Sequence, residues 1–255
     1  MAHTDTHSTH AHSQSTHIAP PVVDREEWQR ERDALLAREK AYTHEGDALA
    51  AARRRLPMTE VPPVVLTNDH GSVSLLDAFE GREQLVVYKH MWHAGLPFEG
   101  QCEGCTITHW SFKDADDAVY LNEQGISFAV FADGPWSELE PFRNFMGYTA
   151  PWYSTHGSEH PFWQTDGTIT CLLRRDDRVY VTYETTGRGV ETIMGSLRLL
   201  DLTPFGRKER WEASPEGWPQ DRPARFWRRD GRPTPQWTRP GVGAVPVAAE
   251  HHHHH

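Results

Sequence analysis

The chain has 255 residues, a formal charge of −10 and a mean hydropathy of −0.68, with 37% hydrophobic residues. The acidic balance excludes the basic footprint of a nucleic-acid-binding protein. No apolar run approaches the ~18 residues needed to span a bilayer, and three cysteines are too few for a secreted disulfide scaffold. No apolar leader opens the chain, so a reducing, cytoplasmic setting is expected.

Residues 1–22 are rich in Ser, Thr, His and Ala and hold His3, His7, His10, His12 and His17. They have almost nothing to bury, which predicts a disordered tail; weak metal binding is the alternative use of those histidines. Residues 251–255 are all histidine and read as a purification tag. Residues 23–57 form a helical extension. Asp24 is a suitable N-cap, Glu26 and Glu27 place acid in the first turn, and Pro57 ends the run. Trp28, Leu35, Tyr42, Leu49 and Leu56 recur every seven residues, but the companion line is polar (Arg32, Glu39, Gly46, Arg53), which argues against a two-stranded coiled coil. This helix is expected to pack along the domain or to pair with a second copy as a homodimer, with a break at Gly46.

The main domain is placed at 58–212. A short strand is predicted over 61–66, at a sheet edge because of Pro62 and Pro63. A turn follows at 68–71, then a strand running into one helical turn over 73–79, closed by Gly81. The apolar run Leu85, Val86, Val87, Tyr88 predicts a buried central strand over 84–91. Helices are predicted at 114–124 and 135–146, with a continuous apolar strand at 126–131 between them. Residues 148–167 are aromatic and read as irregular. Strands at 168–173 and 178–183 form a hairpin, although its turn lacks glycine, and 189–200 is the last helix. From Trp211 onward Pro, Trp, Arg and Gly dominate, so 213–255 reads as an extended tail whose tryptophans and Phe226 could dock on a surface.

Between the central strand and the next helix lies Cys102-Glu103-Gly104-Cys105. A CxxC after a buried strand and at a helix start is the thioredoxin-like redox arrangement. If the helix begins at Cys102, then Cys102, Cys105 and His109 share one helix face. The element order, a βαβ unit followed by a hairpin and a helix, predicts a thioredoxin-like mixed α/β sheet flanked by helices.

The runs RERDALLAREKAYTHEGDALAAARRRLPM, VSLLDAFEGREQLVVYKHMW, FRNFMGYTAPWYS and ETTGRGVETIMGSLRLLDLTPFGRKE, together with the CxxC, resemble the domain-of-unknown-function-899 family. That resemblance implies a thioredoxin-like fold and no settled activity. Gln101 before the pair, Glu103-Gly104 within it, and Asp166-Gly167 in place of a proline before the facing strand all depart from ordinary thioredoxins.

Two chemistries compete for the motif. In the first, Cys102 at a helix N-terminus is the attacking thiolate and Cys105 resolves the mixed disulfide; the protein is then a thiol–disulfide oxidoreductase acting on a thiol or disulfide of a small molecule or protein. In the second, Cys102, Cys105, His109 and His93 hold copper or zinc, as in a metal chaperone similar to Sco-type copper proteins or a metal-dependent enzyme, with His156 or His160 as distant ligand candidates. No other cofactor is indicated. His90 is read as a ligand candidate or a buried strand histidine, and Cys171 as an apolar core residue.

Overall fold

The computed structural model describes residues 19–112 and 118–220, together with the backbone at 114–117, 228–229 and 232–233. The His-rich run before Ile18 and the terminal histidines lie outside the described residues, as do Phe226, Trp227 and Trp237. In chain order the elements begin with helix α1 (Arg25–Arg53), strands β1 (Thr59–Glu60), β2 (Val65–Asn68) and β3 (Gly71–Ser74), a 3-10 turn (Leu75–Phe79) and strand β4 (Gln84–Lys89). Helices α2 (Glu103–Ser111) and α3 (Asp114–Glu123) follow, then β5 (Ile126–Ala132), α4 (Trp136–Met146), β6 (Trp152–Ser154) and α5 (Pro161–Gln164). The hairpin β7 (Thr168–Arg175) and β8 (Arg178–Thr186), a 3-10 helix (Gly187–Ile193) and α6 (Gly195–Asp201) complete the domain. Further on, β9 (Arg228–Arg229) and β10 (Arg232–Pro233) pair with each other within the stretch expected to be simply extended.

Eight strands form one mixed sheet in the order β1-β8-β7-β4-β5-β6-β2-β3. β4 lies at its centre, parallel to β5 and antiparallel to β7, with Val86 between Phe128 and Cys171. Its alternation splits the core in two. Leu85 and Val87 face one layer with Phe79, Phe131, Leu172 and Trp163, whereas Val86 and Tyr88 face the other with Val130, Trp152, Leu139 and Phe142. Helices α2 and α4 supply the second layer with Cys105, Leu139, Phe142 and Met146. Burial of both faces is why β4 and β5 read as continuous apolar runs. Among the described residues no helix is long and apolar enough to cross a membrane.

Four expectations need correction. The strand expected over 61–66 is strand only from Val65, where β2 begins: β1, which ends before Val61, pairs with β8 at one edge of the sheet, and β2 joins β6 and β3 at the other. Pro62 and Pro63 cannot donate to a ladder, so the chain leaves one edge there and crosses to the other. The stretch 148–167 is not wholly irregular, because Trp152, Tyr153 and Ser154 pair with Val130, Phe131 and Ala132 as β6, and His160 caps α5. The last helix is divided at Met194 into a 3-10 segment and α6. Finally, α1 runs unbroken through Gly46; none of its residues is buried, and it meets the domain at its last turn, where Arg53 lies over the Tyr183 ring. Its Asp24 cap is as expected, with the carboxylate accepting the Glu27 N–H at 2.8 Å.

The hairpin turn without glycine is accommodated by Asp176, whose φ of 55° occupies the left-handed region that short polar side chains tolerate. After α6 the chain is held by Arg207, which is 3% exposed and grips two carboxylates in bidentate fashion. Its guanidinium donates to Glu191 at 2.9 and 3.0 Å and to Asp201 at 2.7 and 2.8 Å. The expected docking of the tail tryptophans is met in part: Arg188 lies over Trp211, and Trp218 meets the Phe205 ring edge-on.

Candidate functional site

Cys102 is the N-cap of α2, where its Sγ accepts the backbone N–H of Cys105 at 3.4 Å. A helix N-terminus offers unpaired N–H groups and the positive end of the dipole, both favouring a thiolate. The Cys105 thiol donates to Cys102, and with the N–H groups of Cys105 and Gly104 it brings the Cys102 pKa down from 9.0 to about 7, against partial burial and the negative charge of Asp166. Cys105 is 4% exposed and moves the opposite way. Its hydrogen bond to Cys102 comes first, then burial and the Cys102 charge, and together they raise it well above the ordinary thiol range. The Tyr88 hydroxyl and the Met91 N–H, the latter at 3.3 Å, donate to Cys105 Sγ and oppose that rise. The two sulfurs thus divide into a half-buried acidic thiol and a deeply buried one. All three cysteines are free thiols.

The loop before α2 is fixed by side chains that spacing alone does not reveal. Gln101 is 1% exposed; its Oε1 accepts the His93 N–H at 2.9 Å, and its Nε2 donates to the carbonyls of His93 at 2.9 Å and Leu96 at 3.1 Å. Glu138, in the first turn of α4, accepts from Trp92 Nε1 at 2.9 Å and from the Gly95 N–H at 3.1 Å. A Cβ at Gly134 would fall inside the Trp92 indole, so the backbone of the β5–α4 connection serves as the seat of that ring. Gly134→Ala is therefore expected to displace Trp92, lowering stability by about 1–3 kcal/mol and loosening the loop that leads into Cys102. Thermal unfolding and Trp fluorescence would check this; an unshifted melting curve and spectrum would contradict it.

Asp166, missed by the sequence reading, stands before β7 where the chain comes back to the dithiol. It is exposed as a residue, yet protein packed around its carboxyl raises its pKa, while nearby His93 pulls it down. Its charge also acts on Cys102. The Gly167 N–H donates to the Lys89 carbonyl at 2.8 Å, and this bond ties the start of β7 to the end of β4. An acid immediately before the strand facing the CxxC was the available signal.

His109 is fully buried, stacked on Tyr148 at 3.8 Å and facing Trp152 at 5.5 Å. Of its two readings His90 fits the buried histidine, placed one residue beyond the end of β4. Its Nδ1–H donates to the Met91 carbonyl at 2.8 Å, and burial first, then His109 and His93, lowers its pKa to about 3. His156 lies near Asp133 at 3.5 Å, and His160 accepts the Phe162 N–H at the start of α5. Among the described residues no three His, Cys, Asp or Glu side chains are grouped to hold a metal ion, so the placement of Cys102, Cys105, His109 and His93 lends a copper or zinc site no support. Cys171 sits on β7, partly buried, with its pKa raised by that burial. A cavity of about 300 Å³ opens elsewhere, between Phe205, Trp211 and Trp218, and no cysteine lines it.

The model of a family described as "Bacterial protein of unknown function (DUF899)" matches residues 17–166 and 160–231. The chain belongs to this family. The matched stretches of this DUF899 member contain Cys102, Cys105, Tyr88, Asp166 and the Arg207 staple. No curated protein matches the chain.

Proposed function

We propose that this DUF899 protein is a thioredoxin-like thiol–disulfide oxidoreductase in which Cys102 attacks and Cys105 resolves. The observation that carries the reading is the asymmetry of the pair: a half-buried thiol brought to about 7 beside a buried thiol held protonated by its bond to it. The strand order β5-β4-β7-β8, with β4 parallel to β5 and the hairpin antiparallel to it, supports the thioredoxin-like core.

In this mechanism the Cys102 thiolate attacks one sulfur of a substrate disulfide, forming a mixed disulfide and expelling the other sulfur as a thiolate. The Cys105 thiol then loses its proton to that departing thiolate or to solvent and attacks Cys102 Sγ. The second substrate thiolate leaves, and a Cys102–Cys105 disulfide remains. The substrate is reduced by two electrons, the dithiol is oxidised by two, and two equivalents of an external thiol, or one of a dithiol, reverse the change and are themselves oxidised to a disulfide. The Tyr88 hydroxyl and the Met91 N–H, already donating to Cys105, stabilise its thiolate at the moment of attack. Burial of Cys105 keeps it from competing with Cys102 for substrate.

Oxidation followed by alkylation and peptide mass mapping is expected to yield a Cys102–Cys105 disulfide with Cys171 alkylated. Residues three apart at a helix start meet the Cα separation of roughly 4.4–6.8 Å that a disulfide requires. A Cys105–Cys171 bridge would overturn the assignment, as would failure of the reduced protein to turn over any of a set of small and protein disulfides.

A further inference from the structure

The longest described helix is the one with least to hold it. α1 has 29 residues and spans ~44 Å at ~1.5 Å per residue, and none of its side chains is buried. Helices in water depend mainly on tertiary packing of an apolar face. Here Trp28, Leu35, Tyr42 and Leu49 are 45%, 50%, 71% and 49% exposed, as is Leu56 just beyond the helix at 50%. In its last turn Arg53 lies over the Tyr183 ring.

The pattern of this stripe is self-complementary. Leu35 and Leu49 stand at equal distances on either side of Tyr42, and Trp28 and Leu56 at twice that distance. A reversed copy therefore presents the same spacing, with Leu35 opposite Leu49, Trp28 opposite Leu56 and Tyr42 on its own image. Ala34, Ala41 and Ala48, each one position before a large apolar residue, are exposed beside the stripe and leave room for a second backbone. This small-residue flank takes the place of the second apolar line that a heptad coiled coil would need.

Charge points the same way. At the first end four acids, Glu26, Glu27, Glu31 and Asp33, outnumber Arg25, Arg30 and Arg32; Arg30 and Arg32 are paired with Glu26 and Asp33 within the helix, and Arg25 lies over Trp28. At the last end Arg53, Arg54 and Arg55 follow one another, with no acid from Ala48 to Leu56. An antiparallel contact sets the acidic end against the basic one and opposes the two helix dipoles favourably.

We propose that α1 is a dimerisation element, pairing antiparallel with α1 of a second copy across a two-fold axis at Tyr42. Such an interface is isologous and closes on itself. It is independent of the dithiol, so its failure leaves that reading untouched. Light scattering of the full chain at micromolar concentration is expected to give twice the 29.2 kDa chain mass. Leu35→Glu combined with Leu49→Glu is expected to halve the mass while Cys102 alkylation is unchanged. For orientation, Tyr42→Cys is expected to cross-link to itself under mild oxidation, identified by peptide mapping against the unmodified chain. Trp28→Cys alone is expected not to, whereas Trp28→Cys with Leu56→Cys is. A monomeric chain overturns the proposal, whether the stripe is then open or covered by another segment of the same chain. A dimer that persists in the double glutamate variant, or Trp28→Cys cross-linking to itself as readily as Tyr42→Cys, also overturns it.

Discussion

Cys102→Ser is expected to abolish disulfide reduction, a loss on the order of 10³-fold or more, because a serine hydroxyl is not ionised near neutrality and forms no mixed disulfide. Cys105→Ser should behave differently. The first attack still occurs, but resolution does not, so the mixed disulfide with substrate accumulates in stoichiometric amount and turnover stops. Cys105→Ala, which removes the thiol that donates to Cys102 without leaving a hydroxyl in its place, takes away the largest single cause of the low Cys102 pKa and should move that pKa back up. Cys171→Ser should leave turnover within experimental error. Steady-state turnover of the three serine variants, with mass spectrometry for the trapped adduct, separates these outcomes. Activity kept in Cys102→Ser and lost in Cys171→Ser would sink the assignment.

The largest effect on stability is expected at Arg207. Removing one partner of a buried, hydrogen-bonded charge cluster costs about 3–5 kcal/mol, because the remaining charges stay without compensation. Asp201 is one-third exposed and Glu191 much less so, which places Arg207→Ala near the lower end of that range. At about 2–4 °C per kcal/mol for a domain of this size, the melting temperature should fall by roughly 6–12 °C. Arg207→Lys should recover only part of this, since a point ammonium cannot serve two carboxylates in bidentate fashion. The pH dependence has a definite sign. Bonding to Arg207 lowers Asp201, and its bonds, outweighing burial, lower Glu191. Their contribution is therefore full above the ordinary values of 3.8 and 4.5 and disappears as pH falls below them. Calorimetry across that range should show wild type and Arg207→Ala converging in acid. A variant that melts with wild type at neutral pH would contradict the staple.

What could be read from sequence follows the range of the interactions concerned. The central strand, the helix start at Cys102 and the cap at Asp24 are local: an apolar run, a CxxC and a carboxylate three residues before an N–H. Residues Val61 to Leu66 looked like one strand because all but the two prolines are apolar. Of these only Val65 and Leu66 lie in a strand, β2, and the edges that β1 and β2 join depend on β8 and β6, more than eighty residues further on. Strand β6 was hidden because an aromatic stretch between glycines has no alternation; β5 selects it by pairing. Within the candidate site the two cysteines and the helix N-terminus at Cys102 were legible, and the side chains that tune the pair were not. Tyr88 looked like core because it is core, and its hydroxyl happens to reach Cys105 from the buried face of β4. Gln101, Glu138 and Asp166 act through contacts across the loop or from distant elements, which no spacing rule detects. The ligand reading of His109 rested on a shared helix face, and that face turns the ring against Tyr148 and Trp152.

The central claim is that Cys102 alone is an accessible, acidified thiol. The most direct measurement is the pH dependence of iodoacetamide alkylation of the reduced protein, followed peptide by peptide by mass spectrometry. Because the thiolate is the reacting form, the Cys102 rate should climb with pH through a midpoint of about 7 and level off above it, while Cys105 and Cys171 stay slow throughout. A Cys102 midpoint at the ordinary thiol value of 9.0, or faster reaction at Cys105 than at Cys102, would contradict it.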